Sequence, residues 1–357
     1  MNNNYRDTVA IVDLRRLKHN VQTIYKTSQK PLMAIIKANA YGHGAKQVAK
    51  VLEDLDEVAM YGLATLNEAL DLRKENIKKG MLVIGPTHYT DALIASKWDI
   101  TLTGYSLDYI KQIQNLKFEK PLKLHIKLDT GMNRIGLKTR EELDEAMALL
   151  KENEMIEVTG VFTHFGGAET NDGTYQKQLD TFIERIQGYS FKYIHCDNTA
   201  GTMYHHDDIT NMDRLGIGMY GIDPKGIINP DLQPVMSLFT RVMMVKEIKA
   251  KEKVGYNFTY EASQDERIAT LPIGYADGLI RKNQGRKVWI NDHFYPIVGR
   301  VCMDQIMVAC DQKVKVHDLV EIFGDHISIV DMANELETIP YEILCLLSPR
   351  VERAYLK

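Results

Sequence analysis

The sequence predicts an α/β protein: a (β/α)8, TIM-like barrel followed by a mostly-β C-terminal domain. Three observations point there. From about residue 30 to residue 221, short apolar runs alternate with longer amphipathic ones, the pattern of parallel strands joined by crossover helices. After Gly221 the prolines Pro224, Pro230 and Pro234 punctuate a connection, and the runs beyond it are β-type with few helices between them. The continuous apolar run Met33-Ala34-Ile35-Ile36 reads as a fully buried parallel strand, and it ends on a lysine, Lys37.

Each element follows in order. Val9-Ala10-Ile11-Val12 is a strand candidate ahead of the barrel. The barrel itself is expected over 10–223 and the β-rich domain over 224–357; the pattern alone leaves open which of the two the first strand joins. Eight barrel strands are expected at 32–38, 58–65, 81–86, 100–104, 122–129, 158–165, 193–197 and 215–221. Leu66–Arg73 and Thr139–Leu150 have apolar residues at helical spacing. In the second domain the strand candidates are 237–246, 267–273, 287–290, 295–310 and 319–323, and only 329–336 and 339–347 read as helical.

Composition narrows the function classes. With 357 residues, 45% hydrophobic and 26% charged, the chain is long enough for a barrel and an extension. A formal charge of −4 offers no basic field for nucleic acid or an anionic membrane. No apolar run approaches a membrane span, and the first residues lack signal-peptide features, so a cytoplasmic protein is expected. Cys196, Cys302, Cys310 and Cys345 show neither Cys-x-x-Cys spacing nor nearby metal-like histidines and read as reduced thiols. His205-His206-Asp207-Asp208 reads as a solvated loop, because adjacent rings seldom meet one ion and no further ligand stands at suitable spacing. No metal is expected.

A lysine at the carboxyl end of a buried strand is partly desolvated, which lowers its pKa and makes the amine a nucleophile toward an aldehyde. Barrel sites lie at the carboxyl ends of the strands, which gathers Lys37, Asp129, Arg134, His164, Asn198, Thr199 and Arg214. The run Lys37-Ala38-Asn39-Ala40-Tyr41-Gly42-His43-Gly44 resembles the cofactor-lysine signature of the alanine racemases, pyridoxal-phosphate enzymes built on a barrel plus a β domain. About seven motifs resemble that family in its order along the chain, and the resemblance implies that the N-terminal strand of residues 1–9 joins the β-rich domain.

The resemblance implies interconversion of L- and D-alanine by two bases, Lys37 and Tyr256, supplying D-alanine for peptidoglycan. It implies that Tyr41, His164, Asn198, Thr199, Arg214, Gly216, Ile217 and Tyr341 hold pyridoxal 5'-phosphate. Arg134, Tyr275, Met303 and Asp304 are implied to meet the substrate, and Lys127 to be carbamylated. Thr199 stands where most members have serine, and Asn133 where glycine is commoner; the hydroxyl at 199 is kept. Tyr341 argues for alanine, since related serine racemases place a smaller polar residue there. The family is a homodimer with shared active sites, so Tyr256, Tyr275, Met303 and Tyr341 are implied to act on the partner's cofactor. A serine or broad-specificity racemase is the chief alternative; a basic amino-acid decarboxylase and a non-catalytic pyridoxal-phosphate carrier are less compatible with Arg214 and Tyr256, respectively.

Overall fold

The computed structural model describes residues 6–357. Strand β1 (Val9–Asp13) leads into α1 (Leu14–Ser28), and the chain then winds as β2 (Leu32–Ile35), the one-turn segment α2 (Lys37–Tyr41), α3 (Ala45–Leu52), β3 (Val58–Leu63), α4 (Leu66–Lys74), β4 (Gly80–Val83), α5 (Asp91–Lys97), β5 (Leu102–Gly104), α6 (Leu107–Gln114), β6 (Leu122–Lys127), α7 (Arg140–Lys151), β7 (Ile156–Phe162), α8 (Thr174–Ile186), β8 (Tyr193–His195), α9 (Thr199–Tyr204) and β9 (Asp213–Leu215). Strands β2 to β9 are parallel, in the orders β4-β3-β2-β9 and β5-β6-β7-β8. The two groups meet where Leu82 bridges Thr101 and where the Arg214 amide donates to the Asp197 carbonyl at 3.0 Å, closing the barrel.

Local chemistry sets the helix starts. Thr65 and Thr139 each form a capping box, with Glu68 and Glu142 three residues on, so α4 and α7 begin where their first amides are satisfied. Strand β6 alternates: Leu122, Leu124 and Ile126 are apolar, while Lys123, His125 and Lys127 share the other face. That second face turns into the barrel, because His125 contacts His195 across it.

The eighth barrel strand differs from expectation. It is Asp213–Leu215, and the residues expected to extend it, Ile217–Tyr220, instead form a 3₁₀ turn closed by Gly221. The strand pairs with β2 over only three residues, after which the chain must leave for the second domain. Periodicity could not show this, since a short buried turn and a buried strand are equally apolar.

The remaining strands are β10 (Met236–Arg241), β11 (Met244–Ile248), β12 (Lys253–Val254), β13 (Tyr260–Glu261), β14 (Glu266–Leu271), β15 (Lys287–Ile290), β16 (His293–Val298), β17 (Ile306–Cys310), β18 (Leu319–Phe323) and, after helices α10 (Ile329–Glu335) and α11 (Pro340–Leu346), β19 (Glu352–Leu356). Nine strands form one sheet in the order β11-β14-β17-β16-β15-β18-β10-β1-β19. Strand β1 therefore sits in the C-terminal sheet, antiparallel to β10 and parallel to β19. Among the described residues no helix is long and apolar enough to cross a membrane, and no three His, Cys, Asp or Glu side chains are grouped to hold a metal ion. Of the loop 205–208, His206 and Asp208 are exposed. Asp207 is instead buried, receiving the Lys30 ammonium at 3.1 Å, and His205 stacks on Tyr175 at 3.7 Å.

Gly221 governs the exit from the barrel. Its φ is +84°, and a Cβ there would lie 1.9 Å from the Gln233 carbonyl oxygen. Gly221→Ala is expected to cost about 1–3 kcal/mol, read as a lower urea midpoint with an unchanged slope; an unchanged midpoint would show that the junction yields freely.

Candidate active site

Lys37 opens a left-handed turn. Ala38, Asn39, Ala40 and Tyr41 have φ of 51°, 54°, 55° and 51°, and the turn is closed by bonds such as Ala40 N–H to the Ile36 carbonyl at 2.9 Å and Gly42 N–H to Ala38 at 3.0 Å. For non-glycine residues this handedness costs about 1–2 kcal/mol each, so other groups must hold it. Glu68 accepts from the Ala38 amide at 2.7 Å and the Ala64 amide at 2.8 Å. Asn39 caps α3 by accepting from the Ala45 amide at 2.9 Å, and Arg353 of β19 donates to the Gly42 carbonyl at 3.0 Å. Helix α11 presses on the same turn: a Cβ on Gly42 would lie 2.3 Å from the Leu344 carbonyl oxygen. Sequence reasoning missed Glu68 and Arg353; the Thr65-x-x-Glu68 capping box was the available signal for the first.

The turn delivers Lys37 to a cavity of about 560 Å³ at the carboxyl ends of the strands. Lys37, Tyr41, His164, Asn198, Thr199, Arg214, Gly216, Ile217 and Tyr341 all line it, as do Cys345 and Glu169. Burial, reinforced by Arg134, lowers the Lys37 pKa from its usual 10.5. At one side Thr199 Oγ1 accepts from the Gly216 amide at 3.0 Å. A Cβ on Gly216 would sit 3.0 Å from the Tyr41 hydroxyl and 3.6 Å from Thr199 Oγ1, so glycine leaves open a hollow between two hydroxyls. Asn198 caps α9 through the Gly201 amide at 3.0 Å, which fixes Thr199 beside it.

Arg214 also lines the cavity, buried and without a carboxylate partner among the described residues. Its Nη1 donates to the His195 carbonyl and to His195 Nδ1, at 2.5 and 3.0 Å, and its Nη2 to the carbonyls of Thr163 and Cys196, at 2.8 and 2.7 Å, and to His164 Nδ1 at 3.3 Å. Only Nε–H has no acceptor among the described residues. Burial brings this guanidinium down to about 10. Burial, together with the Arg214 and Lys127 charges, takes His164 to about 2, so the ring is neutral and accepts from Arg214 at Nδ1.

Lys127 is 4% exposed and its Nζ has no hydrogen-bond or carboxylate partner among the described residues; it lies 4.9 Å from the Phe162 ring centre. Burial and the charges of Arg214 and Arg134 depress its pKa well below 10.5. Arg134 itself is exposed at the rim and does not line the cavity. Asn133 before it takes φ +55°, a conformation asparagine tolerates, and its amide donates to Asp129 at 2.9 Å.

The structure does not bring Tyr256, Tyr275, Met303 or Asp304 to this cavity. They lie in the β domain and are exposed: Tyr256 is 70% exposed, Met303 52% and Tyr275 43%, while Asp304 pairs with Arg350 at 2.7 Å.

Family models described as alanine racemase, N-terminal domain, and alanine racemase, C-terminal domain, match residues 12–224 and 235–355. The chain belongs to the alanine racemase family. It is similar to alanine racemase 1 of Bacillus subtilis (38% identical, covering 99% of this chain and 94% of that one) and to an alanine racemase of Anoxybacillus flavithermus (40%, covering 99% and 96%). Among solved structures it superposes on the alanine racemase of E. faecalis with a TM-score of 0.95 at 33% identity, covering 99% of each chain. Enzymes of the alanine racemase family depend on pyridoxal 5'-phosphate, and the residues present here fit that group. The hollow at Gly216 suits a phosphate, the open Arg214 Nε–H suits the ring nitrogen, and Lys37 suits the aldehyde.

Four buried histidines impose a pH dependence on stability. Burial lowers His43 to about 4, His125 to about 3, His164 to about 2 and His195 well below the usual 6.5. The unfolded chain therefore binds more protons between these values and pH 6.5, and stability is full above pH 6.5 and lost as the pH falls. Unfolding at pH 5 is expected to place about four protons on these rings and to release about one from Asp197, whose carboxyl burial holds at about 8, a net uptake measured by calorimetry in buffers of different ionisation heat; no uptake would contradict the neutral burial of the rings.

Proposed function

We propose that this chain interconverts L- and D-alanine with pyridoxal 5'-phosphate, using Lys37 and Tyr256 as bases on opposite faces of the substrate. One observation carries the reading: a desolvated amine, the hydroxyls of Thr199 and Tyr41 beside the side-chain-free Gly216, and a buried arginine with an open N–H all line one cavity of about 560 Å³. When bound, the cofactor delocalises the electron pair left as the α-hydrogen departs. Thr199, the backbone at Gly216 and Ile217, Tyr41 and Tyr341 hold the phosphate, with Asn198 fixing Thr199 and the Gly216 amide bonded to the Thr199 hydroxyl. Arg214 donates toward the ring nitrogen and keeps its own proton, which favours return of the α-proton. Lys37, freed when the substrate amine replaces it, moves the proton on its own face.

Tyr256 is 70% exposed and does not line its own chain's cavity, so a single chain supplies no base for the second face. A homodimer in which Tyr256 of the partner subunit reaches His164 answers both facts. The exposed Tyr275 and Met303, with Asp304, then bound the substrate of the other copy. Tyr341 differs, because it lines its own chain's cavity and is assigned to that cavity's phosphate and substrate side chain. Lys127, a buried amine among cations whose proton affinity burial lowers, takes up carbon dioxide and loses a proton, and the resulting carbamate orients Arg134 toward the substrate carboxylate. The reading places the enzyme in the cytoplasm, in keeping with four unpaired cysteines, and in the supply of D-alanine for peptidoglycan.

In heavy water, L-alanine is expected to yield D-alanine bearing α-deuterium, with a specificity constant well above that for serine; a reversed ratio would favour the serine or broad-specificity alternative. Mixing inactive Lys37→Ala and Tyr256→Phe chains after reversible dissociation is expected to restore about a quarter of wild-type activity, since half the dimers are mixed and each holds one complete site. No recovery would place both bases in one chain. Isotope-labelled bicarbonate is expected to give a carbamate carbon signal that Lys127→Ala lacks.

A further inference from the structure

Behind Arg214 lies a pair of histidines to which the reading above gives no role. His195 Nε2 and His125 Nδ1 are 2.8 Å apart, both rings are fully buried, and His195 Nδ1 receives Arg214 Nη1 at 3.0 Å. A guanidinium can only donate, so His195 Nδ1 must be bare. A neutral His195 then carries its proton on Nε2 and donates it to His125 Nδ1, which leaves the His125 proton on Nε2. Any other arrangement sets two N–H groups, or two lone pairs, against each other. His125 Nε2 is buried with no partner among the described residues, so no competing acceptor draws its ring away. The rings are also wedged: Phe162 stacks on His195 at 4.7 Å and 15°, and a Cβ on Gly160 would lie 2.8 Å from three atoms of the His125 ring.

We propose that His125 is a positioning residue for Arg214: by accepting from His195 Nε2 it locks one tautomer, which keeps His195 Nδ1 free to hold the guanidinium and so aims Nε–H into the cavity. The proposal rests on the reading that Arg214 faces the cofactor ring. In both rings the neutral form is favoured by burial, which lowers their proton affinity. A purely packing role would be served by any side chain of similar volume, whereas a tautomer lock requires an acceptor at the Nδ1 position. Asparagine supplies one there; leucine does not.

The test uses the cofactor-loaded enzyme. Nitrogen NMR of histidine-labelled protein, assigned by variants, is expected to show His195 bare at Nδ1 and protonated at Nε2 through the neutral pH range. A proton on Nδ1 would overturn the lock whatever the activity. His125→Leu is expected to lower kcat about ten- to hundredfold, the effect of a misaimed group, with the alanine KM within about twofold, and to shift the cofactor's visible absorption maximum. His125→Asn is expected to restore most of both. Equal losses in the two variants, or no loss in His125→Leu, would reduce His125 to packing. An inactive wild type with the expected tautomers would instead remove the racemase reading and leave the lock standing.

Discussion

Four cations gather at the carboxyl end of this barrel, and none of them is paired with a carboxylate among the described residues. Lys37 and Lys127 respond by losing affinity for their protons, Arg214 by drawing on backbone carbonyls and imidazoles, and Arg134 by staying at the rim. Burying unpaired charge costs several kcal/mol for each ion, so the arrangement is tolerable because the charges are weakened, solvated by carbonyl dipoles or left near water. It also defines what the cavity accepts. In the proposed reading a phosphate, a substrate carboxylate and a carbamate on Lys127 are the anions that answer these cations. Burial lowers the proton affinity of the Lys37 amine, as a nucleophilic role requires.

The same economy explains the handedness of the turn after Lys37. A right-handed continuation of β2 is the lower-energy local choice for Ala-Asn-Ala-Tyr, and it is refused because Glu68, Arg353 and helix α11 bind the other one. Two of these three come from the β domain, so the position of the reactive lysine depends on contacts between barrel and sheet. Removing the C-terminal domain would therefore alter the lysine's surroundings as well as the entrance.

What could be read from residues alone was whatever depends on local pattern. The alternation of apolar runs and amphipathic stretches, the strand that ends at Lys37, and the helical stretches at 66–73 and 139–150 follow from periodicity. The short eighth strand did not, because Ile217–Tyr220 is as apolar as a strand and its turn is imposed by the crossing to the second domain. Most residues of the site were named through family resemblance, and nine of those line one cavity here. Arg353, His125 and His195 were invisible: their roles depend on partners 311, 70 and 19 residues away, and no local pattern marks such contacts. Glu68 was marked only by its spacing from Thr65, which does not show its bond to the Ala38 amide 30 residues away. Tyr256, Tyr275, Met303 and Asp304 were named but do not line their own chain's cavity, and only the proposed dimer gives them a place at the site of the other copy.

The central claim is that the Lys37 amine carries the cofactor. Saturating the purified protein with pyridoxal phosphate, reducing with borohydride and mapping peptides by mass measures this directly. The expected result is one pyridoxyl group per chain on the peptide containing Lys37, with none in Lys37→Ala. A stoichiometric label on Lys127 or another lysine, or no label at all, would contradict it.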